Sequence, residues 1–368
     1  MKEYNIIDLF CGCGGLSKGF EEAGYKVLVG VDVEQSALNT FEKNHNGAIG
    51  INLDLSEPES FDIIKKAING KKVDVIIGGP PCQGFSLTGP RNFDDKRNKL
   101  YLAMIETVRR FRPQAFLIEN VPGMANLYKG EVKNEIIRRF TAMGYKVSCK
   151  IICAADYGVP QIRKRLIFVG LKNSDKPFEF PEPILEEKDY ITCEQAISDL
   201  PPLTDELGEE ISSYIQHPLT DFQKKMRGDS DVLYNHVAVN HKDFVKEVIA
   251  QVPDGGNYKD LPKGVGESRN FHMAWTRYAS NKPSRTIDTG HRNNFHYKWN
   301  RCPTVRESAR LQSFPDNFIF TGNKTQQNRQ VGNAVPVLLA YALAKQIEKY
   351  LKVSSINSIY PLVSDSRT

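Results

Sequence analysis

Short apolar runs alternate with amphipathic segments along roughly the first 170 residues of the chain. The runs are rich in β-branched residues, as buried strands are, and the segments between them carry apolar residues at helical spacing. Strands that alternate with helices predict a doubly wound, mostly parallel α/β sheet. The predicted strands are 5–10, 26–32, 49–55, 73–77, 115–120, 145–153 and 165–170. The predicted helices between them are 15–23, 36–44, 58–69, 101–112 and 132–143.

This alternation fails after about residue 177. Proline-rich pieces and polar stretches without a regular period continue to about residue 302. Two amphipathic helices follow, at 304–311 and 337–352. The pattern therefore predicts a main domain at residues 1–172, a smaller irregular domain at 173–302 and an ordered C-terminal part at 303–368.

The composition is that of an ordinary globular protein, because 40% of the 368 residues are hydrophobic and 25% are charged. No apolar run approaches the roughly 20 residues that span a bilayer, and the N-terminus lacks the layout of a signal peptide. Seven cysteines without a disulfide or zinc spacing favour reduced thiols and no metal site. We therefore expect a cytoplasmic protein that does not enter a membrane.

The net charge of +5 is small, but residues 259–307 hold ten Lys or Arg against four Asp or Glu. Basic residues interleaved with aromatic ones are typical of a nucleic-acid surface, and a solvated basic face is the alternative. The aromatic residues of this stretch are Phe271, Trp275, Tyr278, Phe295, Tyr297 and Trp299.

The end of the fourth predicted strand is the most distinctive part of the sequence. It runs into Gly-Gly-Pro-Pro-Cys-Gln-Gly-Phe-Ser at residues 78–86. Pro80 and Pro81 fix their φ angles and restrain the backbone before Cys82. In open α/β sheets ligands bind at the carboxyl ends of the strands, so this thiol is a candidate nucleophile. The alternative is a buried core cysteine, the commonest state of a free Cys.

Other strands place polar groups at the same edge. A glycine loop follows the first strand, but it has Ser17 where the dinucleotide fingerprint needs glycine. Asp32 and Asp54 end the second and third strands, where they could accept hydrogen bonds from a ribose and from an adenine amino group, or merely cap helices. Glu119 follows an apolar run in the fifth strand, and a poorly solvated carboxyl group there would suit proton donation.

The chain resembles the bacterial, S-adenosylmethionine-dependent DNA (cytosine-5) methyltransferases. Six motifs in family order carry the resemblance: residues 8–15, 78–86, Glu-Asn-Val at 119–121, Gln-Ile-Arg-Lys-Arg at 161–165, 306–315 and Gln-Val-Gly-Asn-Ala-Val-Pro at 330–336. The Cys-Phe-Thr tripeptide of the related tRNA methyltransferases is absent from the sequence, which favours DNA as substrate. The resemblance implies a class I methyltransferase fold, with 1–172 as the catalytic domain, 173–302 as the target recognition domain and 303–368 returning to the catalytic domain.

The resemblance also implies a mechanism. The Cys82 thiolate adds to carbon 6 of a cytosine flipped out of double-stranded DNA, which lets carbon 5 attack the methyl group of S-adenosylmethionine. Glu119 assists at ring nitrogen 3, and Arg163 and Arg165 hold the base and a nearby phosphate. The loop at 87–99 would close over the base. The implied catalytic residues are Cys82, Glu119, Asn120, Gln161, Arg163 and Arg165.

The implied cofactor is S-adenosylmethionine, and its expected contacts are Phe10, Cys13, Gly14, Gly15, Asp32, Val33, Asp54, Leu55, Pro81, Leu100, Asn333 and Val335. We expect a monomer. A separate restriction endonuclease and a solitary enzyme remain alternatives, and the DNA site is open. Two rival functions are a catalytically silent DNA-binding relative and a Rossmann oxidoreductase. The first is disfavoured because Cys82, Glu119, Arg163 and Arg165 are all present.

Overall fold

The computed structural model describes residues 3–81, 99–204, 206–267, 274–290 and 294–359. Its centre is a seven-stranded sheet with the order β3-β2-β1-β4-β5-β8-β6. The strands are β1 Tyr4–Leu9, β2 Tyr25–Asp32, β3 Ile49–Asn52, β4 Val75–Gly78, β5 Ala115–Asn120, β6 Tyr145–Cys153 and β8 Lys164–Lys172. A two-residue strand, β7 (Gln161–Ile162), precedes β8 outside this sheet.

Six of these strands run in one direction, and β8 lies antiparallel between β5 and β6. The chain order reverses between β1 and β4, which pair in parallel so that Leu9 faces Gly78. A side chain at Gly78 would approach the Leu9 carbonyl oxygen to 2.5 Å, so only glycine fits at this contact. The sheet confirms the predicted doubly wound, mostly parallel α/β class. It also creates a crevice at the carboxyl ends of β1 and β4, where such folds bind ligands.

Helices cover both faces of the sheet. In chain order they are α1 Gly15–Glu22, α2 Gln35–Asn44, α3 Ser60–Ala67, α4 Lys99–Phe111 and α5 Glu131–Ala142. Consecutive strand residues alternate between two buried cores, so Ile6 and Val75 lie in one core and Ile7 and Ile76 in the other. Each such side chain stabilises the fold by about 1.5–3 kcal/mol through burial.

The segment at 173–302 contains short elements, as its irregular sequence suggested. They are α6 Cys193–Ile197, β9 Ile211–Ser213, α7 Asp221–Arg227, β10 Val232–Tyr234, α8 Asp243–Gln251, β11 Thr276–Arg277, β12 Ser284–Arg285 and β13 Asn294–Phe295. β12 pairs in parallel with β7, which joins this segment to the strand that leads into β8.

The basic, aromatic stretch at 259–307 suggested either a nucleic-acid surface or a solvated basic face. Two of its aromatic residues are core residues, because Trp275 is 1% exposed and Phe295 is fully buried. Both belong to a small core with Val245 and Ile249 of α8. Lysines of the stretch, such as Lys282 and Lys298, are exposed. Trp275 and Phe295 therefore stabilise this part of the segment from inside, while lysines remain at its surface.

The C-terminal part consists of α9 Val305–Leu311, α10 Lys324–Asn333 and α11 Val337–Ile359. α11 packs closely on α1, because a side chain at Gly19 would come within 2.4 Å of Ala340 Cβ. The hydroxyl of Tyr25 donates a hydrogen bond to the carbonyl of Ala344 at 3.0 Å. The C-terminal helix α11 thus packs against α1 and β2. Within the described residues, no helix combines the length and the apolar character that a membrane span requires.

Candidate active site

A cavity of about 530 Å³ opens at the carboxyl edge of the sheet. It is lined by the loop after β1, the ends of β2 and β5, the residues after β4, and the end of α10. Thirteen of the residues predicted from sequence line it together with Glu119: Phe10, Cys13, Gly15, Asp32, Val33, Leu55, Pro81, Leu100, Asn120, Arg163, Arg165, Asn333 and Val335. The tertiary fold therefore gathers both expected groups, catalytic and cofactor-binding, around one space.

The loop after β1 adopts a conformation that its glycines permit. Gly12 and Gly14 have positive φ angles of 53° and 93°, a region that glycine enters without steric cost. α1 begins at Gly15, and its N-cap, Gly14, supplies no side-chain hydrogen bond. The N-terminus of α1, with its positive end of the helix dipole, therefore lies beside the cavity, an arrangement that favours anionic groups. A side chain at Gly15 would meet the Val335 carbonyl oxygen at 2.6 Å, so the C-terminal part closes this side of the loop.

A buried carboxyl group, Asp8, and a half-buried one, Asp32, lie beside this loop. Asp32 accepts hydrogen bonds from the amides of Gly12 at 2.8 Å and Glu34 at 2.9 Å. Asp8 is 1% exposed and accepts a hydrogen bond from the Ser17 hydroxyl at 2.7 Å. Burial raises the pKa of Asp32 and raises that of Asp8 to about 7. The cavity floor is thus rich in acceptors, which suits hydroxyl and cationic groups of a ligand.

Glu119 and Arg165 form an ion pair at the other end of the cavity. Arg165 Nε lies 2.6 Å from Glu119 Oε1, and the two side chains are 10% and 14% exposed. The sequence suggested an apolar environment for Glu119, but the carboxyl group is paired with a guanidinium. The pair presents a positive and a negative hydrogen-bonding edge side by side to the cavity.

Asn120 ties the end of β5 to the loop that follows β4. Its side-chain amide donates to the carbonyl of Pro80 at 2.8 Å, and its oxygen accepts from the amide of Val121 at 2.9 Å. Pro81 lines the cavity, and Cys82 is the next residue in the chain. Cys82 itself and residues 83–98, which include nearly all of the predicted closing loop, lie outside the described residues.

Arg163 was expected to hold the base or a phosphate, which stays a prediction; both of its terminal nitrogens donate hydrogen bonds within the protein. One terminal nitrogen donates to the carbonyls of Gly332 at 2.8 Å and Ala334 at 3.0 Å, and the other to Ile287 at 3.4 Å. Burial, with a smaller effect of neighbouring Arg165, lowers the pKa of Arg163 to about 9. This guanidinium joins separate segments of the chain.

Three further predicted residues do not line the cavity. Gln161 is fully buried and bridges Leu311 and Ile287 through its amide. Asp54 is exposed and accepts a hydrogen bond from the amide of Ser56. Gly14 packs against the His45 ring, which a side chain at this position would meet. Their expected contacts with substrate or cofactor stay predictions.

Sequence reasoning missed one wall of the cavity. Gln326, Arg329, Gln330 and Asn333 lie on one face of α10 at helical spacing, and all four line the cavity. Only Asn333 was expected there, because no helix was predicted between 312 and 336. The spacing of these polar residues was the available signal. Glu34, which lies 3.5 Å from Arg329 across the mouth, was also missed.

Comparison with known proteins gives a consistent result. Residues 4–349 match the model of the C-5 cytosine-specific DNA methylase family. The chain is 39% identical over 346 residues to the Type II methyltransferase M1.HphI of Haemophilus parahaemolyticus, covering 93% of this chain and 86% of that one. It is 38% identical over 388 residues to the Type II methyltransferase M.DdeI of Desulfomicrobium norvegicum, covering 98% and 91%.

Solved structures show the same similarity. A DNA modification methyltransferase encoded within an E. coli prophage superposes with a TM-score of 0.79 at 30% identity, covering 95% of this chain and all of that one. The Dnmt2 methyltransferase of S. pombe superposes with a TM-score of 0.59 at 16% identity, over 95% and 99% of the chains. The second similarity is one of fold alone.

Proposed function

The chain belongs to the C-5 cytosine-specific DNA methylase family and methylates cytosine in DNA at a specific sequence, and from this premise we propose the cofactor, the nucleophile and the roles of the cavity residues. The cofactor is S-adenosylmethionine, and the nucleophile is Cys82. The observation that carries the proposal is the single cavity between the glycine loop and the Glu119–Arg165 pair, with Pro81 at its margin.

The residues present suit this cofactor. A volume of about 530 Å³ lies within the ~300–1,000 Å³ that small-molecule sites occupy. Phe10 offers a ring for the adenine, Asp32 has acceptor capacity for the ribose, and the N-terminus of α1 suits the carboxylate of the amino-acid end. Val335 approaches Gly15 closely and so limits the space beside the loop. When bound, the cofactor supplies an electrophilic methyl group carried on a sulfonium.

The protein residues prepare the cytosine. The base must leave the duplex stack to reach the cavity, as methyltransferases of bases require. The Cys82 thiolate forms a bond to carbon 6, and the electrons of the carbon 5–carbon 6 double bond make carbon 5 nucleophilic. Glu119 supplies a proton or strong hydrogen bond at ring nitrogen 3, and Arg165 orients that carboxyl group and binds the base carbonyl. Once carbon 5 carries the methyl group that the cofactor would supply, loss of the carbon 5 proton expels the Cys82 thiolate. The proton at ring nitrogen 3 returns to Glu119, and the aromatic ring is restored.

The segment that selects the DNA sequence, the oligomeric state and the biological role are also part of the proposal. We propose that residues 173–302 select the DNA sequence and that the enzyme acts as a monomer on double-stranded DNA in the cytoplasm. The relatives' description as Type II methyltransferases supports a role in restriction–modification, with a cognate endonuclease acting separately. Chemistry carried by one cavity of one chain requires no second subunit.

The decisive experiment follows the covalent step. Wild-type protein, S-adenosylmethionine and DNA with 5-fluorocytosine at the target should give a complex that survives denaturation, and Cys82→Ser should give none. Bisulfite sequencing of treated DNA identifies the target. If Cys82→Ser retains near-normal methylation, Cys82 is not the nucleophile. Specific DNA binding without any methylation by the wild type would instead support the catalytically silent alternative.

A further inference from the structure

Arg163 directs its guanidinium at main-chain oxygens of two distant segments. It is 2% exposed, although it lines the cavity. It reaches Gly332 and Ala334 in the C-terminal part and Ile287 in the segment at 173–302. A planar guanidinium holds five donors in a fixed fork, so it can reach carbonyls of separate segments from one rigid group, whereas the ammonium of lysine is a compact point charge.

The contact with Ile287 belongs to a continuous seam. β12 pairs with β7, and the amide of Ile287 donates to Gln161 Oε1 at 3.1 Å. The hydroxyl of Thr286 donates to the carbonyl of Ile162 at 2.9 Å. Residues 284–287 are therefore attached to the strand that immediately precedes Arg163.

The contact with Gly332 and Ala334 belongs to the cavity wall. Asn333 and Val335, which alternate with these residues, both line the cavity. A side chain at Gly332 would approach the Asp288 carbonyl oxygen to 2.6 Å, so this wall also touches the segment that follows Ile287. We call residues 332–335 the cofactor wall and residues 173–302 the recognition segment. The Arg163 guanidinium thus lies where the cofactor wall and the recognition segment meet.

We propose that Arg163 is a positioning residue that couples the cofactor wall to the recognition segment, and that it does not bind the base. The proposal rests on the function proposed above, because it takes the cavity as the cofactor site and 173–302 as the DNA-reading segment. A cofactor bound against Asn333 and Val335 stabilises the position of residues 332–335. Through Arg163, that position is linked to the position of residues 284–287. Cofactor and specific DNA must then strengthen each other's binding by equal factors.

The test compares a buried and an exposed arginine without DNA present. Binding of S-adenosylhomocysteine is measured by calorimetry for the wild type, Arg163→Met and Arg138→Met. Loss of charge-assisted hydrogen bonds to the wall should weaken binding about tenfold or more in Arg163→Met. Arg138→Met is the control, and its affinity should stay within about twofold because Arg138 is exposed, pairs with Glu135 on α5 and does not line the cavity.

The opposite outcome is equally clear. If Arg163→Met binds S-adenosylhomocysteine like the wild type and loses only turnover, Arg163 acts on the base and the proposal is wrong. Failure of the wild type to bind S-adenosylhomocysteine would remove the cofactor site and this proposal together, whereas normal wild-type binding with an unaffected Arg163→Met removes only this proposal.

A milder variant covers the case in which Arg163→Met does not fold. Thr286→Val keeps the shape of an exposed side chain and removes only its hydrogen bond to Ile162. The factor by which S-adenosylhomocysteine strengthens specific DNA binding should fall at least about twofold in this variant. An unchanged factor in a folded Thr286→Val protein would overturn the coupling.

Discussion

Arg165 Nε lies 2.6 Å from Glu119 Oε1, and this pair crosses from β8 to β5, the antiparallel step of the sheet. The register sets Glu119 opposite Ile167, so Arg165 reaches it along the diagonal of the strand pair. A carboxylate and a guanidinium held by adjacent strands need little reorganisation to meet a base. The relationship makes Glu119 a group that acts together with a cation, rather than an isolated acid in an apolar site.

Glu119→Gln should lower turnover by ~10²–10⁴-fold, because the amide keeps the shape and a hydrogen bond but delivers no proton. The measurement is single-turnover methylation with the DNA and cofactor affinities determined separately, and both affinities should change little. Glu34→Gln is the matched control, since Glu34 also lines the cavity but lies at its mouth. A loss confined to DNA affinity would make Glu119 a structural residue.

Asp8 should make stability depend on pH. Burial raises its pKa from 3.8 to about 7, so the folded protein binds this proton more tightly than the unfolded chain. Its stabilising contribution is therefore complete below about pH 4 and is lost as the pH rises through about 7. Asp8→Asn should reduce the difference in unfolding free energy between about pH 4 and about pH 8 by a few kcal/mol.

The measurement for Asp8 is urea unfolding of the cofactor-free protein at both pH values. Asp229→Asn serves as the control because Asp229 is exposed, and it should leave the pH dependence unchanged. If Asp8→Asn and the wild type lose stability equally as the pH rises, other groups carry the dependence.

Replacing Arg310 should lower the free energy of unfolding strongly. It lies buried between Asp199 at 2.8 Å and Asp316 at 2.6 Å, so it joins α9 to the recognition segment. Arg310→Met leaves Asp199 buried without its cation and Asp316 with only Arg306 at 3.9 Å, so it should destabilise the fold by about 3–5 kcal/mol. Arg329→Met, which breaks a half-exposed pair with Glu34, should cost at most about 1 kcal/mol. Urea unfolding of both variants tests the contrast, and similar losses would contradict it.

Sequence choice should move with the recognition segment. Replacing residues 203–300 by those of a relative keeps Asp199 and Arg301, the partners of Arg310 and Glu307. The contact of Arg163 with Ile287 uses a main-chain oxygen, so it tolerates a foreign sequence. The chimera should methylate the relative's site with unchanged Cys82 chemistry, because base-edge contacts carry the specificity. Bisulfite sequencing reads the outcome, and an active chimera that still marks the original site would contradict the assignment.

The sequence alone determined the order of strands and helices in the first 170 residues, because local periodicity and turn residues specify them. It also placed Phe10, Asp32 and Glu119 at one edge, because each lies at or just beyond the carboxyl end of a strand in a mostly parallel sheet. The helix at Lys324–Asn333 escaped prediction because its mean composition is polar and its buried face meets other polar groups.

Only the tertiary structure decided which of these residues face the cavity and which hold the fold together. Arg163 and Arg165 are two residues apart in the sequence. Arg163 donates hydrogen bonds to carbonyls far along the chain, whereas Arg165 forms an ion pair with Glu119. Trp275 and Lys298 share a basic, aromatic stretch, but the first is buried and the second is exposed. Local sequence encodes the periodicity of an element, whereas the partner of a side chain depends on contacts between residues that only folding brings together.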